Sequence, residues 1–308
     1  MEKFVDMHCD TAAFIYKNNE NLFDSKGHIS IEKLMKYKNP VQVFAIWLGK
    51  KYYNNNAFKE TQDIIENFKN QIQINSDYIS LTKNFYEIKN NNKISALLSI
   101  EGCEALEGNM DNLYRLYDMG IRLMTLTWNY KNCVGTGVMD SKLGGGLTSF
   151  GKDAVREMEK LGIIVDVSHL CDEGFYDVEK ITQKPFAASH SNARTICPHK
   201  RNLKDNQIRI IADRGGIIGL NLYSDFLNST GKASVDDVMR HVDYMLKICG
   251  EDHIALGCDF DGIDCTPTGL EDVTRLGTLF DRIEKEYGQI IASKIASDNF
   301  MRLASIAL

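Results

Sequence analysis

Ile163-Ile-Val-Asp-Val-Ser-His169 and Pro185-Phe-Ala-Ala-Ser-His190 are two apolar, strand-like segments that both end in histidine. A stretch long enough for a helix separates them, so the pair predicts a strand–helix–strand unit of a parallel sheet. In parallel α/β folds, functional side chains collect at the carboxyl ends of the strands, here called the rim. The two histidines are therefore predicted to lie on the rim.

The same alternation of apolar runs and helical patterns extends along the chain of 308 residues. It predicts an α/β fold, a single (β/α)8 TIM-like barrel over residues 1–308, for which about 250 residues is typical. An open doubly wound sheet is the alternative, but ligands on its first, middle and last strands would not readily meet. The eight predicted strands are Phe4–His8, Val41–Leu48, Ile94–Ile100, Ile121–Trp128, Ile163–His169, Pro185–His190, Ile217–Tyr223 and His253–Phe260.

Helices are predicted between these strands from apolar stripes at helical spacing. The stretch Phe58–Phe85 is interpreted as one long helix or two, and Leu270–Leu308 is predicted to close the chain with helix. Ser234 and Asp237 form a capping-box-like start for the helix that contains Val235 and Leu246.

Composition and charge indicate a soluble protein that acts on a small molecule. Apolar residues make up 44% of the chain and charged residues 25%, and no apolar run approaches the length of a membrane span. The net charge of −6 comes without a basic stripe, which argues against nucleic acid. The eight scattered cysteines and the lack of a secretory signal predict a cytoplasmic protein with free thiols, and Cys9 and Cys258 are interpreted as core residues rather than ligands.

Polar side chains with metal-binding chemistry end several predicted strands. His8 and Asp10 are two positions apart, so on a strand both would point to one face and could bind one ion. Glu101 follows a buried strand, where a carboxylate must be paired or metal-bound. It is either a salt-bridged glutamate at the rim or a carboxylate that bridges two metal ions.

His169 and His190 offer neutral nitrogen donors that suit zinc. Either alone would more often be a structural histidine, but equivalent positions in consecutive units favour metal binding. Asp259 and Asp261 end the last strand, and one could bind metal and accept a proton while the other caps a loop. The residues themselves do not choose between these two aspartates.

Other polar segments have less specific interpretations. Arg201 lies in a short basic cluster that is either a solvated loop or an anion-binding site. The glycine-rich stretch Asn129–Leu147 is interpreted as a mobile loop that covers the substrate, in preference to a phosphate cradle, and Tyr52–Asn56 as a second loop at the rim. Four further histidines are interpreted as structural: His28, His199, His241 and His253.

Several short motifs, taken together and in order, resemble the renal (membrane) dipeptidase family of zinc peptidases. They run along nearly the whole chain and are His8-x-Asp10, Ile100-Glu101-Gly102, Asp166-Val-Ser-His169, Ser189-His190-Ser191, Arg201-Asn202 and Gly257-Cys-Asp-Phe-Asp-Gly262. The resemblance implies a (β/α)8 barrel with two divalent metal ions, most simply Zn²⁺. It also implies cleavage of dipeptides, including those with a D- or dehydro-residue at the C-terminal position, and a possible homodimer.

The resemblance further implies a role for each matching residue. One zinc would be held by His8 and Asp10, with Asp259 at the same position to handle the proton. Glu101 would bridge to a second zinc, and a hydroxide activated between the ions would attack the peptide. The second zinc would be held by His169 and His190, and Arg201 would bind the free carboxylate of the substrate.

One position departs from the family pattern. Mammalian members carry a histidine after the fourth strand, and the matching segment here, Met124-Thr-Leu-Thr-Trp128-Asn129, has tryptophan in its place. Stabilisation of the oxyanion must then come from metal, from Asn129 or from another group. Two rival functions remain: another amidohydrolase-type barrel acting on cyclic amides, lactones or phosphoesters, and a catalytically silent metal-binding barrel.

Overall fold

The structure, a computed structural model, describes residues 3–49 and 56–308. Eight parallel strands of the described residues close into a ring in the order β1-β2-β4-β5-β6-β7-β8-β9, with β9 pairing again with β1. This confirms the predicted (β/α)8 barrel. The strands are β1 (Val5–Cys9), β2 (Val41–Ile46), β3 (Ile79–Leu81), β4 (Ile94–Glu101), β5 (Ile121–Thr125), β6 (Ile164–Asp166), β7 (Ala187–Ala188), β8 (Ile217–Leu220) and β9 (Ile254–Leu256).

Helices follow the strands and surround the ring. The α-helices of the described residues are Thr11–Asn18, Ile31–Leu34, Ala57–Ile74, Phe85–Asn90, Met110–Asp118, Ser149–Leu161, Asp172–Ile181, Asp205–Asp213, Ser224–Leu227, Val235–Cys249, Leu276–Tyr287, Gln289–Ser293 and Asn299–Ala307. Short 3-10 segments lie at Cys103–Leu106, Val138–Leu143 and Val273–Arg275, and a π-helical turn at Lys294–Asp298. The capping box at Ser234 and Asp237 and the helical C-terminal region are confirmed.

The structure corrects the prediction of one or two uninterrupted helices at Phe58–Phe85. Strand β3 interrupts this stretch and pairs with the first residues of β4. Strand β5 pairs with the later residues of β4 on the same edge. Strand β3 therefore lies next to the ring rather than within it. A strand of three residues is too short to show a periodicity of its own in the sequence.

Several strands end earlier at the rim than the apolar runs predict. Strand β6 ends at Asp166 rather than His169, and β9 ends at Leu256 rather than Phe260. His169 and Asp259 both have a φ of 65°, a left-handed conformation that cannot continue a strand. The chain therefore leaves the sheet just before it presents these two side chains.

The inside of the ring is apolar at the amino ends of the strands. Each of the eight ring strands contributes to one buried cluster: Val5, Met7, Val41, Val43, Leu97, Leu123, Ile164, Ala187, Ile217 and Ala255. Phe300 and Leu303 of the C-terminal helix pack into the same cluster and close this end of the barrel. A second, larger cluster packs the outer faces of the strands against the helices, and it contains the buried, free cysteines Cys9 and Cys258, as predicted.

Candidate metal centre

Glu101 lies at the centre of the side chains that the rim brings together. Its Oε1 is 2.8 Å from His169 Nε2 and 3.5 Å from His190 Nε2. Its Oε2 is 3.9 Å from His8 Nε2. The two oxygens of one carboxylate therefore face different histidines, which is the arrangement that a bridging ligand requires.

A second group of ligand atoms surrounds His8. His8 Nε2 lies 3.5 Å from Asp10 Oδ2 and 3.7 Å from Asp259 Oδ1. The ligand atoms of these three residues lie within 4.8 Å of one another, and so do those of His8, Glu101 and His190. All of these side chains are buried. The structure thus brings together the six residues predicted as metal ligands.

An irregularity in β1 accounts for the direction of His8. Asp6 pairs with Gln42 and Cys9 with Phe44, so β1 advances three residues where β2 advances two. The additional residue shifts the alternation of side chains, as a β-bulge does. Cys9 packs in the outer core, while His8 joins the cluster inside the ring.

The ligand atoms have the environment that a cation would satisfy. Among the described residues, His8 Nε2, Asp10 Oδ1 and His190 Nε2 are buried and have no hydrogen-bond partner. Buried polar atoms are normally paired, and unpaired ones carry a cost of about 1–3 kcal/mol each. Imidazole nitrogens with carboxylate oxygens are a donor set for zinc and similar divalent ions. The residues present therefore fit a metal centre.

Burial and mutual repulsion control the charges of this centre. Burial raises the pKa of Glu101 well above its usual range, with the charge of Asp10 adding to it. Burial also raises the pKa of Asp259 to about 6. It lowers the pKa of His169 and His190 well below the usual range, which keeps both imidazoles neutral and able to bind metal. For His8, burial lowers the pKa, but the surrounding carboxylates outweigh it and raise the pKa to about 10.

The two histidines that face Glu101 Oε1 are each oriented by a polar neighbour. Asn129 Oδ1 lies 2.9 Å from His169 Nδ1, and Ser189 Oγ lies 2.7 Å from His190 Nδ1. Ser189 Oγ in turn donates a hydrogen bond to the buried Asp166. Such contacts fix the ring so that Nε2 faces the site, as outer partners of metal-binding histidines do. Sequence reasoning named Asn129 but missed Ser189 and Asp166 as orienting groups, although both lie in the motifs that carry the resemblance.

Asp259 and Asp261 have different surroundings. Asn221 Nδ2 donates a 2.8 Å hydrogen bond to Asp259 Oδ2, which leaves Oδ1 directed at His8. Asp261 instead accepts a 2.6 Å hydrogen bond from Thr11 Oγ1, and its backbone N–H donates to His28 Nδ1 at 2.9 Å. Asp259 thus faces the ligand cluster, whereas Asp261 anchors a loop. Asn221 carries no signal in the sequence, since a lone asparagine after a strand is common.

The family follows from a comparison with known proteins. A model of the family described as membrane dipeptidase (peptidase family M19) matches residues 1–307. The chain belongs to this family. It is a metallo-dipeptidase by that membership, and the predicted resemblance is confirmed.

The chain is also similar to curated proteins of other organisms. An uncharacterized protein in the pqqA 5′ region of Klebsiella pneumoniae is 37% identical over 222 residues, which are 68% of this chain and 82% of that protein. An uncharacterized dipeptidase of Schizosaccharomyces pombe is 36% identical over 201 residues, but the match spans 48% of its length and 63% of this chain.

Two solved structures superpose over almost the full length of the chain. The M19 metallopeptidase called dipeptidase AC has a TM-score of 0.91 at 25% identity, with 99% of this chain and 98% of that chain covered. A metallopeptidase of Rhodobacter sphaeroides, solved with a phosphinate mimic of L-Ala-D-Ala, has a TM-score of 0.91 at 24% identity, with 100% and 99% covered. The latter likeness concerns the fold.

A cavity of about 290 Å³ opens above the cluster of candidate metal ligands. Its described lining includes carboxylates of the metal centre, Asn129, and the aromatic rings of Trp47, Trp128, Tyr223 and Phe226. Arg201 is outside that lining. It is 5% exposed, donates from Nη2 to the backbone oxygen of His190 at 3.3 Å, and leaves Nε without a partner among the described residues. Burial lowers the pKa of Arg201 to about 10, and the nearby Asp259 and Glu101 oppose this shift.

Of the two predicted rim loops, the structure describes the first fully and the second only at its last residue. The stretch Asn129–Leu147 is held by bridges from Gly135 to Leu147 and from Gly137 to Leu170, and Asn129 reaches the cavity. Its predicted mobility stays a prediction. The loop Tyr52–Asn56 lies outside the described residues except for Asn56. In the described part of the chain, no helix has the length and hydropathy that crossing a membrane requires.

Proposed function

We propose that this enzyme hydrolyses free dipeptides, including those with a D- or dehydro-residue at the C-terminal position, and that it uses two divalent metal ions, most simply Zn²⁺. The observation that carries the proposal is Glu101, whose two carboxylate oxygens face His8 on one side and His169 with His190 on the other. A carboxylate so placed can bridge two ions.

His8, Asp10 and Asp259 would hold one ion, and His169 with His190 the other. Bound there, the ions would supply an acidified water as nucleophile and would polarise the scissile carbonyl. Burial keeps His169 and His190 neutral, and only an unprotonated nitrogen can donate to a metal. At His8, where the surrounding carboxylates raise the pKa, a bound cation would take the place of the proton.

Asp259 is proposed to accept the proton of the attacking water and to deliver it to the leaving amine. Its Oδ1 faces the centre of the site, and Asn221 holds Oδ2. This hydrogen bond fixes the carboxylate plane, so that proton transfer needs no rotation of the side chain. General acid–base catalysis of this kind contributes roughly 10²- to 10⁴-fold to a rate.

Arg201 and Asn129 are proposed to bind the substrate. The buried guanidinium of Arg201 has a free Nε–H, and arginine suits bidentate recognition of a carboxylate. This would limit substrates to those with a carboxylate close to the scissile bond. The Oδ1 of Asn129 pairs with His169, so its Nδ2 amide is the group proposed to donate to the developing oxyanion.

Hydrolysis of a substrate panel tests the proposal. Metal-loaded and chelated enzyme would be compared on L-L, L-D and dehydro-dipeptides, each with a free or an amidated C-terminus, and bound metal would be counted by mass spectrometry. The expected result is cleavage that disappears with the chelator and with amidation. Protein that holds two metal ions and cleaves none of these substrates would contradict the proposal and favour the silent barrel or another amide substrate.

A further inference from the structure

The two tryptophans of the chain, Trp47 and Trp128, both line the cavity above the metal centre. Their ring centroids are 5.2 Å apart, and Trp128 lies 6.2 Å from the ring of His169. Lys17 Nζ lies 4.3 Å from the centroid of the Trp47 ring. We call the pair Trp47 and Trp128 the tryptophan wall.

The order of strands in the ring fixes the position of this wall. Trp47 follows β2 and Trp128 follows β5, the strands on either side of β4. In the ring of eight strands β8 is opposite β4, and it is followed by Tyr223 and Phe226. The cavity therefore lies between the tryptophan wall and a second aromatic pair, with Glu101 at the end of β4 below.

Arg201 belongs to the side opposite the wall. Its guanidinium is 5.4 Å from the ring centroid of Phe226 and contacts the backbone of His190 after β7. If Arg201 holds the substrate carboxylate, as the proposed function has it, the C-terminal residue of a dipeptide lies on the β7–β8 side. The N-terminal residue then extends across the metal centre toward the tryptophan wall.

We propose that the tryptophan wall is the subsite for the N-terminal side chain, and that the enzyme prefers dipeptides with an aromatic or large aliphatic residue at that position. The wall offers flat apolar surface, and aromatic pairs gain further from ring stacking. Burying a large apolar side chain is worth about 1.5–3 kcal/mol, equivalent to a ~10- to 100-fold preference over glycine. This inference rests on the proposed dipeptidase function and adds the substrate class.

Two series of dipeptides test the proposal in the metal-loaded enzyme. Phe-Ala, Leu-Ala and Gly-Ala vary the N-terminal side chain, whereas Ala-Phe, Ala-Leu and Ala-Gly vary the C-terminal one. We expect kcat/KM for Phe-Ala to exceed that for Gly-Ala by ~10- to 100-fold. In Trp47→Ala and Trp128→Ala this ratio should fall at least ~5-fold toward unity, while the ratio for Ala-Phe over Ala-Gly should stay within ~2-fold of wild type.

The matched control is Tyr86→Ala, which removes an aromatic ring that is 74% exposed on a helix away from the rim. It should leave both ratios unchanged. Equal losses for Phe-Ala and Gly-Ala in the tryptophan variants would overturn the proposal, because the wall would then hold a group common to all dipeptides. A loss confined to the Ala-Phe series would overturn the orientation. Cleavage of no dipeptide by wild type would instead defeat the proposed function itself.

Fluorescence supplies a second measurement that does not depend on the variants folding. All tryptophan emission of the chain comes from Trp47 and Trp128. A phosphinate analogue of Phe-Ala should change the emission of the wild-type protein and bind ~10-fold or more tightly than the analogue of Gly-Ala. Binding of both analogues with equal affinity, or without a change in emission, would contradict the proposal.

Discussion

The two ends of the barrel are built on opposite principles. At the amino ends of the strands, apolar side chains from every ring strand pack against Phe300 and Leu303 of the C-terminal helix. At the carboxyl ends, buried nitrogen and oxygen atoms face one another, some without hydrogen-bond partners in the described residues. One end is satisfied by its own packing, whereas the other needs a ligand to be satisfied.

Three residues of the rim also share an unusual backbone conformation. His169, Asp259 and Asp261 adopt left-handed conformations with a φ of 65°, which L-residues rarely occupy. Such residues persist where the surrounding structure holds them, and they concentrate at functional sites. The apolar end stabilises the barrel, so the rim can hold buried polar side chains and unusual backbone conformations. Substitutions at the apolar end should therefore lower stability, and substitutions at the rim should lower turnover.

The largest effect is expected from Asp259→Asn. The amide can no longer accept the proton of water, and it is a weaker metal ligand than the carboxylate. We expect kcat to fall about 10³- to 10⁴-fold, while the free energy of unfolding stays equal or rises because a buried charge is removed. Steady-state kinetics and urea unfolding measure the two quantities.

Asp261→Asn is the control for that variant. Asp261 accepts a hydrogen bond from Thr11 and does not face His8, so turnover should stay within about 10-fold of wild type. Equal losses of turnover in the two variants would show that the roles of these neighbouring aspartates have been assigned wrongly.

The opposite result is expected at the apolar end with Phe300→Ala. Phe300 is fully buried, so its truncation leaves a cavity and should lower the free energy of unfolding by about 3–5 kcal/mol. Turnover per folded molecule should be unchanged. Ile306→Ala on the same helix is the control, since this side chain is 48% exposed and its loss should cost about 0.5 kcal/mol or less. A large loss of turnover in folded Phe300→Ala would contradict the conclusion that the apolar end affects stability but not turnover.

The same separation explains which features of the fold could be predicted from the sequence. The amino-terminal parts of the strands are recognisable because buried parallel strands are continuous apolar runs. The carboxyl ends were extended too far at His169 and Phe260, because the left-handed residues that stop the strands leave no mark in an apolar pattern. Strand β3 was missed for lack of length.

The candidate site was predictable to a similar, limited degree. His8, Asp10 and Glu101 could be named because metal-binding side chains at the ends of apolar runs are unusual. Asn221 and Ser189 could not, since their importance depends on contacts with residues of the neighbouring strand, 38 and 23 positions away in the chain. The choice between Asp259 and Asp261 depended on the resemblance, and the contacts of each carboxylate in the structure now support Asp259.

A smaller effect is expected from Ser189→Ala, which removes the hydroxyl between His190 and Asp166. Loss of such an outer contact lowers metal affinity by about 10- to 100-fold. Competition with a chromophoric chelator would show one of the two proposed ions leaving more readily. Ser99→Ala is the matched control, because Ser99 Oγ is also buried but has no hydrogen-bond partner in the described residues. Equal affinity in Ser189→Ala and wild type would mean that the hydroxyl does not support the ligand.

The smallest effect concerns pH and acts near the rim without touching the proposed metal ligands. His241 is buried beneath the rim, where Nδ1 accepts from the backbone N–H of Ala193 and Nε2 donates to the Leu227 carbonyl. Burial lowers the pKa of His241 to about 4.

In the unfolded chain a histidine binds a proton with a pKa of about 6.5. The stability that depends on a neutral His241 is therefore fully present above that pH and is lost as the pH falls toward 4. Between pH 7 and pH 5.5, wild type should lose about 1 kcal/mol more stability than His241→Gln, which keeps the acid sensitivity of the other buried groups but lacks that of His241. Hydrogen exchange by local opening should speed up around Ala193 and Leu227 at the lower pH, whereas amides around Phe300, in the buried apolar cluster, should report only the change in global stability. A parallel pH dependence of wild type and His241→Gln would show that the acid sensitivity of the rim arises elsewhere.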